Sequence, residues 1–346
     1  MAAAPVVAKI VAEGAANSMK AWVLEEGGDL AKLAVKRVEI PTPAAGQLRV
    51  KVVTANTNPV DFKHASFGAV GAVFPAVFGC DGAGVVDAVG ADVTAFKPGD
   101  RVHYFGNVFG AHGTYAEFAI ADAHAVAPVP EGMDWATAGV VPCALWTAYE
   151  ALFDRMHLRA GQTVFVAAGA GGVGHFAVQL AKHAGAKVIT TASGDNVARL
   201  REQGYTVIDY RNEASLKDAI LKATDGNGVD CALDCLGEEQ AKDTIAAVAF
   251  GGQYTHIALT APLPADAFFR GLTVHHVFTP GNVVRPDHGA RFVAIAAKAD
   301  ALLVSGAVKP DVSQTYDFDG VKAALEAQVG GRVRGKQLIK ISADSA

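Results

Sequence analysis

A glycine-rich turn between a predicted strand and a predicted helix constrains this chain more than any other feature. The β-branched and aromatic run at 164–166 leads into Gly169-x-Gly171-x-x-Gly174, and an amphipathic helix ended by Gly185 comes next. In a dinucleotide site the first glycine permits the turn, the second lets the backbone approach the pyrophosphate, and the third lets the helix pack on the strand. A tight turn without a ligand is the alternative. The predicted pyrophosphate ligands are Gly169, Ala170, Gly171, Gly172, Val173 and Gly174.

Length and composition narrow the class of protein. At 346 residues, 51% of them hydrophobic, the chain has material for two packed domains. The net charge is −5 and the basic residues are scattered, so we expect neither a nucleic acid nor a membrane as partner. The uncharged stretches 160–181 and 244–265 contain Gln, His and glycine, which favours a buried core over a membrane span. Four cysteines without a paired pattern fit a reducing compartment, and we expect a cytoplasmic protein.

The pattern of predicted elements changes near residue 145. Before it, short strands separated by Gly and Pro predict an irregular β domain, and Leu48, Val50 and Val52 alternate with charged residues. After it, strands and helices alternate, which predicts an α/β fold with a parallel doubly wound sheet. A strand at 272–278 and a long helix follow. The short β tail at 337–341 is expected to rejoin the first domain.

Residues 1–18 form an N-terminal extension ahead of Met19, which begins an ordinary strand. The extension contains no arginine and one acid, Glu13, so it makes a poor transit peptide. It also lacks the long apolar core of a secretory signal. We expect a flexible or weakly helical tail.

Six motifs occur in order along the chain. They are Asn-Pro-Val-Asp at 58–61, Gly-Cys-Asp-Gly-Ala-Gly-Val-Val at 79–86, Phe-Lys-Pro-Gly-Asp-Arg-Val at 96–102, Leu-Trp-Thr-Ala at 145–148, the glycine turn, and Arg-Gly-Lys at 334–336. Together they resemble the medium-chain dehydrogenase/reductase superfamily, specifically its zinc-free quinone oxidoreductase branch. The resemblance implies a Rossmann doubly wound parallel sheet inserted in a GroES-like β-rich catalytic domain, with the nicotinamide in the cleft between them.

The resemblance also implies domain boundaries and an assembly. Residues 19–144 plus 288–346 are assigned to the GroES-like substrate domain, and residues 145–287 to the Rossmann domain. Many relatives form homodimers by joining Rossmann sheets edge to edge, so we expect a homodimer in which the strand at 274–278 takes part. The alternative is that this strand only closes its own sheet.

The end of the second Rossmann strand decides between the two nicotinamide cofactors, because an acid there holds the ribose 2′-hydroxyl and repels a 2′-phosphate. Here the strand ends in Ala192-Ser193-Gly194 without an acid, which favours NADPH. Ser193 can donate a hydrogen bond to the phosphate and Arg199 can supply charge. Against this, Ser193 can simply cap the next helix, Asp195 can point at the ribose, and the lysine that relatives often carry on this helix is absent. The resemblance implies further cofactor contacts from Tyr210, Thr147 and Arg334.

Zinc has to be weighed because zinc-dependent members of the superfamily use a Cys, a His and a later Cys. Those positions correspond here to Asn58, Cys80 and Cys143, and Asp61 or Asp81 can offer a third ligand. The cysteine-rich lobe that binds structural zinc in those members is absent. Asn at the first position is what the zinc-free branch carries, so we expect no metal.

Without a metal, hydrogen-bond donors must stabilise the substrate oxygen. The loop that resembles the nicotinamide-facing segment of the family contains Asn58, Asp61 and Lys63. Asn58 can donate to a carbonyl, and Lys63 can stabilise an enolate and supply a proton. Asp61 can orient Lys63 or bond a ribose hydroxyl. The alternatives are a turn-capping carboxylate for Asp61 and a solvated side chain for Lys63.

These features predict an NADPH-dependent reductase that transfers hydride to quinones or α,β-unsaturated carbonyls without a metal, with a small-molecule carbonyl or quinone substrate. A zinc-dependent alcohol dehydrogenase is the second hypothesis. A non-catalytic, crystallin-like NADPH-binding protein is the third.

Overall fold

The computed structural model describes residues 7–67, 73–258, 262–331 and 333–342. Contacts within the chain divide it into two compact units. The first unit comprises residues 1–143, 279–300 and 312–346, and the second comprises 144–278 and 301–311. No helix in the described part of the chain is both long and apolar enough to cross a membrane.

The described residues form sixteen β-strands. In chain order they are β1 (Ser18–Leu24), β2 (Ala34–Glu39), β3 (Gln47–Asn56), β4 (Ala76–Val77), β5 (Asp81–Val89), β6 (Arg101–Phe105), β7 (Phe118–Asp122), β8 (Val126–Pro128), β9 (Thr163–Val166), β10 (Lys187–Ala192), β11 (Thr206–Asp209), β12 (Val229–Asp234), β13 (Val248–His256), β14 (Thr273–His276), β15 (Val312–Asp317) and β16 (Lys336–Lys340).

The α-helices of the described residues are α1 (Pro59–Phe67), α2 (Trp135–Val140), α3 (Pro142–Tyr149), α4 (Gly174–His183), α5 (Asp195–Glu202), α6 (Leu216–Lys222), α7 (Glu238–Ala246), α8 (Asp266–Phe269), α9 (Thr279–Val284), α10 (Gly289–Val304) and α11 (Val321–Val329). A π-helical turn, Glu150–Arg155, continues α3.

The second unit contains the predicted doubly wound sheet. Its six strands are all parallel and lie in the order β11-β10-β9-β12-β13-β14, so the chain starts at the middle and builds outward to each edge in turn. This order is that of a Rossmann fold. The central strand β9 is apolar because both of its faces are covered, and Val164, Phe165 and Val166 are completely buried. The prediction of an α/β Rossmann fold is confirmed.

The first unit is rich in β-structure. Seven of its strands form a sheet in which β3 pairs with β5, β7 and β16, and a smaller sheet has the order β2-β1-β4. Leu48, Val50 and Val52 point into the core, as their alternation with charged residues predicts. Because β16 pairs antiparallel with β3, the C-terminal tail rejoins this unit, which confirms that prediction. The same pairing brings residues near 336 to the loop after β3.

The expectation of a flexible tail before Met19 is wrong for residues 7–17, whereas residues 1–6 lie outside the described residues. Ala8 is buried, and its N–H donates to the Pro75 carbonyl at 2.8 Å. Ile10 forms a β-bridge with Val38, on β2. The segment therefore lies along β2, an edge strand whose backbone groups would otherwise need another partner.

The boundary expected at residue 287 also differs from the observed one. Residues 279–287 belong to the first unit, because Val283 O accepts a hydrogen bond from His124 Nε2 at 2.6 Å. Gly289 packs so closely on His124 that a Cβ there would lie 2.6 Å from the His124 carbonyl oxygen. The chain then returns to the second unit for residues 301–311. The hydrophobic periodicity predicted the long helix α10, in which the chain passes from the first unit to the second. It did not indicate which residues that helix packs on.

Candidate active site

The turn after β9 has the geometry that a phosphate-binding turn requires. A Cβ on Gly174 would lie 2.0 Å from the Ala168 carbonyl oxygen, and one on Gly169 would lie 2.2 Å from Thr190 Oγ1. Both positions therefore exclude a side chain, and the turn closes through a 2.8 Å bond from Gly171 N–H to Ala168 O. Residues 170–173 are half-buried, and α4 begins at Gly174 without a side-chain cap. The residues of the turn therefore fit a pyrophosphate ligand at the start of α4.

Two of the predicted phosphate contacts meet at the ends of neighbouring strands. The parallel register of β10 and β11 places Ala192 beside Asp209, and the next residues bring Ser193 Oγ to within 3.1 Å of the Tyr210 hydroxyl. Tyr210 is 43% exposed, so this pair of hydroxyls is accessible. Helix α5 is preceded by Gly194 and has no side-chain cap, so Ser193 does not take the capping role that was its alternative.

The Arg199 side chain contacts neither Ser193 nor Tyr210 but an aspartate elsewhere in the second unit. Its guanidinium forms an ion pair with Asp311 at 2.9 Å and a weaker contact with Asn196 at 3.3 Å. The structure thus brings Ser193 and Tyr210 together and directs Arg199 to the segment at 307–311. Of the remaining predicted cofactor residues, Thr147 is buried in α3, and Arg334 is exposed just before β16.

Asn58 is the centre of a buried polar cluster in the first unit. Its amide nitrogen donates to Asp81 Oδ2 at 3.0 Å and contacts Cys80 Sγ at 3.5 Å. Its amide oxygen accepts from Lys336 Nζ at 2.6 Å. Asn58 is only 3% exposed, so every polar atom of its side chain is engaged within the protein. This geometry makes Asn58 a residue that fixes the site rather than a donor to a substrate carbonyl.

Lys336 belongs to this cluster but was not predicted as a site residue from the sequence. Its ammonium group is buried, and it donates to the Thr57 carbonyl at 3.2 Å as well as to Asn58. Lys336 opens a strand that contains the apolar residues Leu338 and Ile339. A lysine drawn into such a strand needs a partner, since an unpaired buried charge is costly. The Lys336 ammonium lowers the pKa of the Asp81 carboxyl, although burial is the larger effect and raises that pKa overall.

Asp61 holds the turn that enters α1. Its carboxylate accepts from Asn58 N–H at 2.8 Å, from Cys80 N–H at 3.1 Å and from the Tyr115 hydroxyl at 2.9 Å. These bonds match the turn-capping alternative rather than a contact with Lys63, which is exposed on α1. Burial raises the pKa of Asp61 to about 6, the three donors opposing the rise and Asp81 adding to it. Asp61 therefore titrates close to the neutral range.

Cys80 and Cys143 lie close together beside the same carboxylates. The Cys143 N–H donates to both oxygens of Asp81 at 3.1 and 3.2 Å, and the Cys80 N–H donates to Asp61. Burial raises the pKa of the Cys80 thiol well above its usual range, and Cys143, Asp61 and Asp81 raise it further. A thiol in these surroundings stays protonated, so it is a poor nucleophile.

Comparisons with known proteins agree with this architecture. A family model described as "Alcohol dehydrogenase GroES-like domain" matches residues 44–131, and one described as "Zinc-binding dehydrogenase" matches residues 172–290. A 2-methylene-furan-3-one reductase of Solanum lycopersicum is 32% identical over 93% of this chain and 79% of its own length. A quinone oxidoreductase of Pongo abelii is 28% identical over 92% of this chain and 96% of its own.

A solved mycobacterial structure, described as complexed with NADPH, superimposes with a TM-score of 0.84 at 27% identity and covers 94% of this chain and 100% of that one. A Rossmann unit with a glycine-rich turn after its first strand, together with a GroES-like unit, is the architecture of oxidoreductases that use a nicotinamide cofactor. The chain belongs to the medium-chain dehydrogenase/reductase superfamily, among its quinone oxidoreductase-like members.

The description "Zinc-binding dehydrogenase" raises the question whether the first unit suits zinc. A catalytic zinc takes three protein ligands such as thiolates and imidazoles. Here an asparagine stands at the first ligand position, and the Lys336 ammonium occupies its amide oxygen. Across residues 7–67, 73–258, 262–331 and 333–342, no three His, Cys, Asp or Glu side chains are arranged to hold a metal ion. This set of donors does not fit a catalytic zinc.

Proposed function

We propose that this protein is an NADPH-dependent reductase that transfers hydride to quinones or α,β-unsaturated carbonyls without a metal. The observation that carries the proposal is the buried 2.6 Å contact between Lys336 Nζ and Asn58 Oδ1. It puts an organic cation against the residue that stands at the first ligand position of zinc-dependent relatives. The names of the quinone oxidoreductase and the furanone reductase among the relatives support the substrate class.

The second unit would hold the cofactor through backbone and hydroxyl groups. The turn 169–174 would receive the pyrophosphate, and the hydroxyls of Ser193 and Tyr210 would receive the 2′-phosphate. When bound, NADPH supplies the hydride. The preference for NADPH over NADH is supported by the absence of an acid directly after β10 and by the NADPH complex of the mycobacterial neighbour.

The chain's own contribution to the reaction is to stabilise charge on the substrate oxygen and to deliver a proton to the reduced product. Lys63 is the candidate, since its side chain is exposed and forms no ion pair with the described residues. Asn58 and Asp61 are positioning residues in this proposal. They fix the turn before α1, on which Lys63 lies.

We also propose that the protein is a homodimer joined through β14. This strand lies at one edge of the six-stranded sheet, and its outer side has no partner strand among the described residues. An unpaired edge invites pairing with a second chain. Size-exclusion chromatography with light scattering tests this, because a mass near 35.7 kDa at micromolar concentration contradicts a dimer.

The decisive experiment measures cofactor oxidation by the purified protein with 1,4-benzoquinone, an enone and a saturated aldehyde, with NADPH or NADH, before and after treatment with a chelator. We expect turnover of the quinone or enone with NADPH, unchanged by the chelator. Reduction of the saturated aldehyde that is lost together with one bound zinc would support an alcohol dehydrogenase instead. Tight NADPH binding without turnover of any of the three would support a non-catalytic protein.

A further inference from the structure

A groove of about 690 Å³ lies in the second unit, behind the start of α4, and Arg199 is the one predicted cofactor residue that lines it. Its walls come from α4, from α5 and from the segment 307–311. Neither the turn 169–174 nor Ser193 and Tyr210 line it. Its volume is in the range typical of small-molecule sites.

The segment that closes the groove is held at two points. The Gln179 side chain donates to the Lys309 carbonyl and accepts from the Lys309 N–H, both at 3.0 Å. Two residues further on, Asp311 forms the ion pair with Arg199. The groove is therefore formed in advance of any ligand, which reduces the entropy that binding would lose.

The groove carries an excess of positive charge. Lys182, Arg199 and Lys309 line it, together with His183, against the single acid Asp311. Asp311 is engaged by Arg199, whereas the Lys182 ammonium contacts only the Gln203 carbonyl and the Tyr205 ring among the described residues. The Lys309 ammonium has no acidic partner in that part of the chain.

Arg199 provides a second observation that points to a ligand. Its Nε is buried and lacks a hydrogen-bond partner among the described residues. A buried donor without a partner is unfavourable, so a shift of this guanidinium, which is 29% exposed, toward an anion in the groove would cost the Nε no existing hydrogen bond. Guanidinium and ammonium groups both bind phosphate oxygens with charge-assisted hydrogen bonds.

We propose that this groove is a second ligand site, which binds a small phosphorylated molecule independently of the dinucleotide. Residues of α4 and α5 line the site. Helix α4 follows the turn 169–174, and α5 follows Ser193. It does not depend on which substrate the protein reduces.

Calorimetric titration of the full-length protein, saturated with its nicotinamide cofactor, tests the proposal with inorganic tripolyphosphate as the probe. Citrate is the second arm, to distinguish phosphate from carboxylate recognition. We expect saturable tripolyphosphate binding, at least tenfold tighter than that of citrate. Lys309→Gln should weaken it about fivefold, and Lys182→Gln combined with Lys309→Gln at least tenfold. Lys187→Gln combined with Lys222→Gln is the matched control, because both lysines are exposed in the same unit outside the groove.

Three outcomes overturn the proposal: no saturable binding to the cofactor-saturated protein, citrate binding as tight as tripolyphosphate, and equal weakening in the control double variant. The single variant Lys309→Gln guards against a folding defect, since the Lys309 ammonium holds no described structural contact. Because the readout is binding rather than turnover, failure here is distinguishable from failure of the proposed reductase activity.

Discussion

The Lys336 ammonium lies 2.6 Å from the amide oxygen of Asn58, and the two side chains are 2% and 3% exposed. This contact joins β16 to the loop after β3 across 278 positions of sequence. The Lys336 ammonium also provides the positive charge that lowers the pKa of Asp81 in the cluster. Removing the ammonium would leave a buried carboxylate without its countercharge, which is more damaging than losing one hydrogen bond.

Lys336→Met should therefore lower the free energy of unfolding by about 3–5 kcal/mol. Urea denaturation followed by circular dichroism measures this. Lys340→Met is the control, because Lys340 is exposed on the same strand and should change stability by less than about 0.5 kcal/mol. Equal stability of the two variants would mean that the Lys336 ammonium reaches water and that the cluster is not closed.

Ser193→Ala should weaken NADPH binding by roughly 10- to 100-fold and leave NADH binding nearly unchanged. A hydrogen bond to a charged group is worth about 1.5–3 kcal/mol, and only NADPH carries the 2′-phosphate. Arg199→Ala should change NADPH affinity by less than about threefold, because Arg199 pairs with Asp311. Fluorescence titration with both cofactors provides the measurement. A larger loss in Arg199→Ala than in Ser193→Ala would restore Arg199 as the phosphate ligand.

The local parts of this molecule could be predicted from its sequence. The turn 169–174, the strand that follows α4 and the alternation in β3 each depend on residues close together in the chain, so periodicity and glycine positions identify them. The parallel doubly wound sheet followed from the alternation of strands and helices, and the resemblance to the superfamily implied its Rossmann form. Those predictions did not depend on tertiary contacts between elements.

The contacts that define the site join residues far apart in the sequence, so they could not be predicted from it. Asn58 was expected to face a substrate, but Lys336 and Asp81, which approach from two other strands, occupy its amide. Arg199 was expected at the phosphate, but Asp311, 112 residues later, pairs with it. In each case the partner was distant in sequence, and propensity arguments do not report such partners.

Lys63→Met should lower kcat on the order of 100-fold while NADPH affinity stays nearly constant, since losing one donor to a developing oxyanion has about this effect. Such a profile marks an interaction made mainly in the transition state. Stopped-flow measurement of NADPH oxidation at saturating cofactor separates chemistry from product release. Lys20→Met, an exposed lysine on β1, is the control for the loss of a surface charge. An unchanged rate in Lys63→Met would assign the substrate oxygen to backbone amides or water.

The pKa of Asp61 predicts how stability depends on pH. Burial raises this pKa from 3.8 to about 6, so between about pH 4 and pH 6 the folded state binds more protons than the unfolded state. Stability must then fall as the pH rises through this window. The loss reaches ~3 kcal/mol by neutral pH, because one pKa unit corresponds to ~1.4 kcal/mol.

Asp61→Asn isolates this contribution, since the amide cannot ionise. The single amide oxygen of the variant can replace Oδ2, which accepts from Asn58 N–H and the Tyr115 hydroxyl, or Oδ1, which accepts from Cys80 N–H, but not both. Its absolute stability is therefore not the test. The test is the slope of unfolding free energy against pH between 4.5 and 6.5, from urea denaturation at each pH, with Asp122→Asn as a control at a partly exposed carboxyl. We expect the slope of the parent protein to be more negative than that of Asp61→Asn. Tyr115→Phe should extend the fall to higher pH, because the Tyr115 hydroxyl stabilises the ionised carboxylate. Identical slopes in the parent and Asp61→Asn would show that water reaches Asp61 and that its pKa is ordinary.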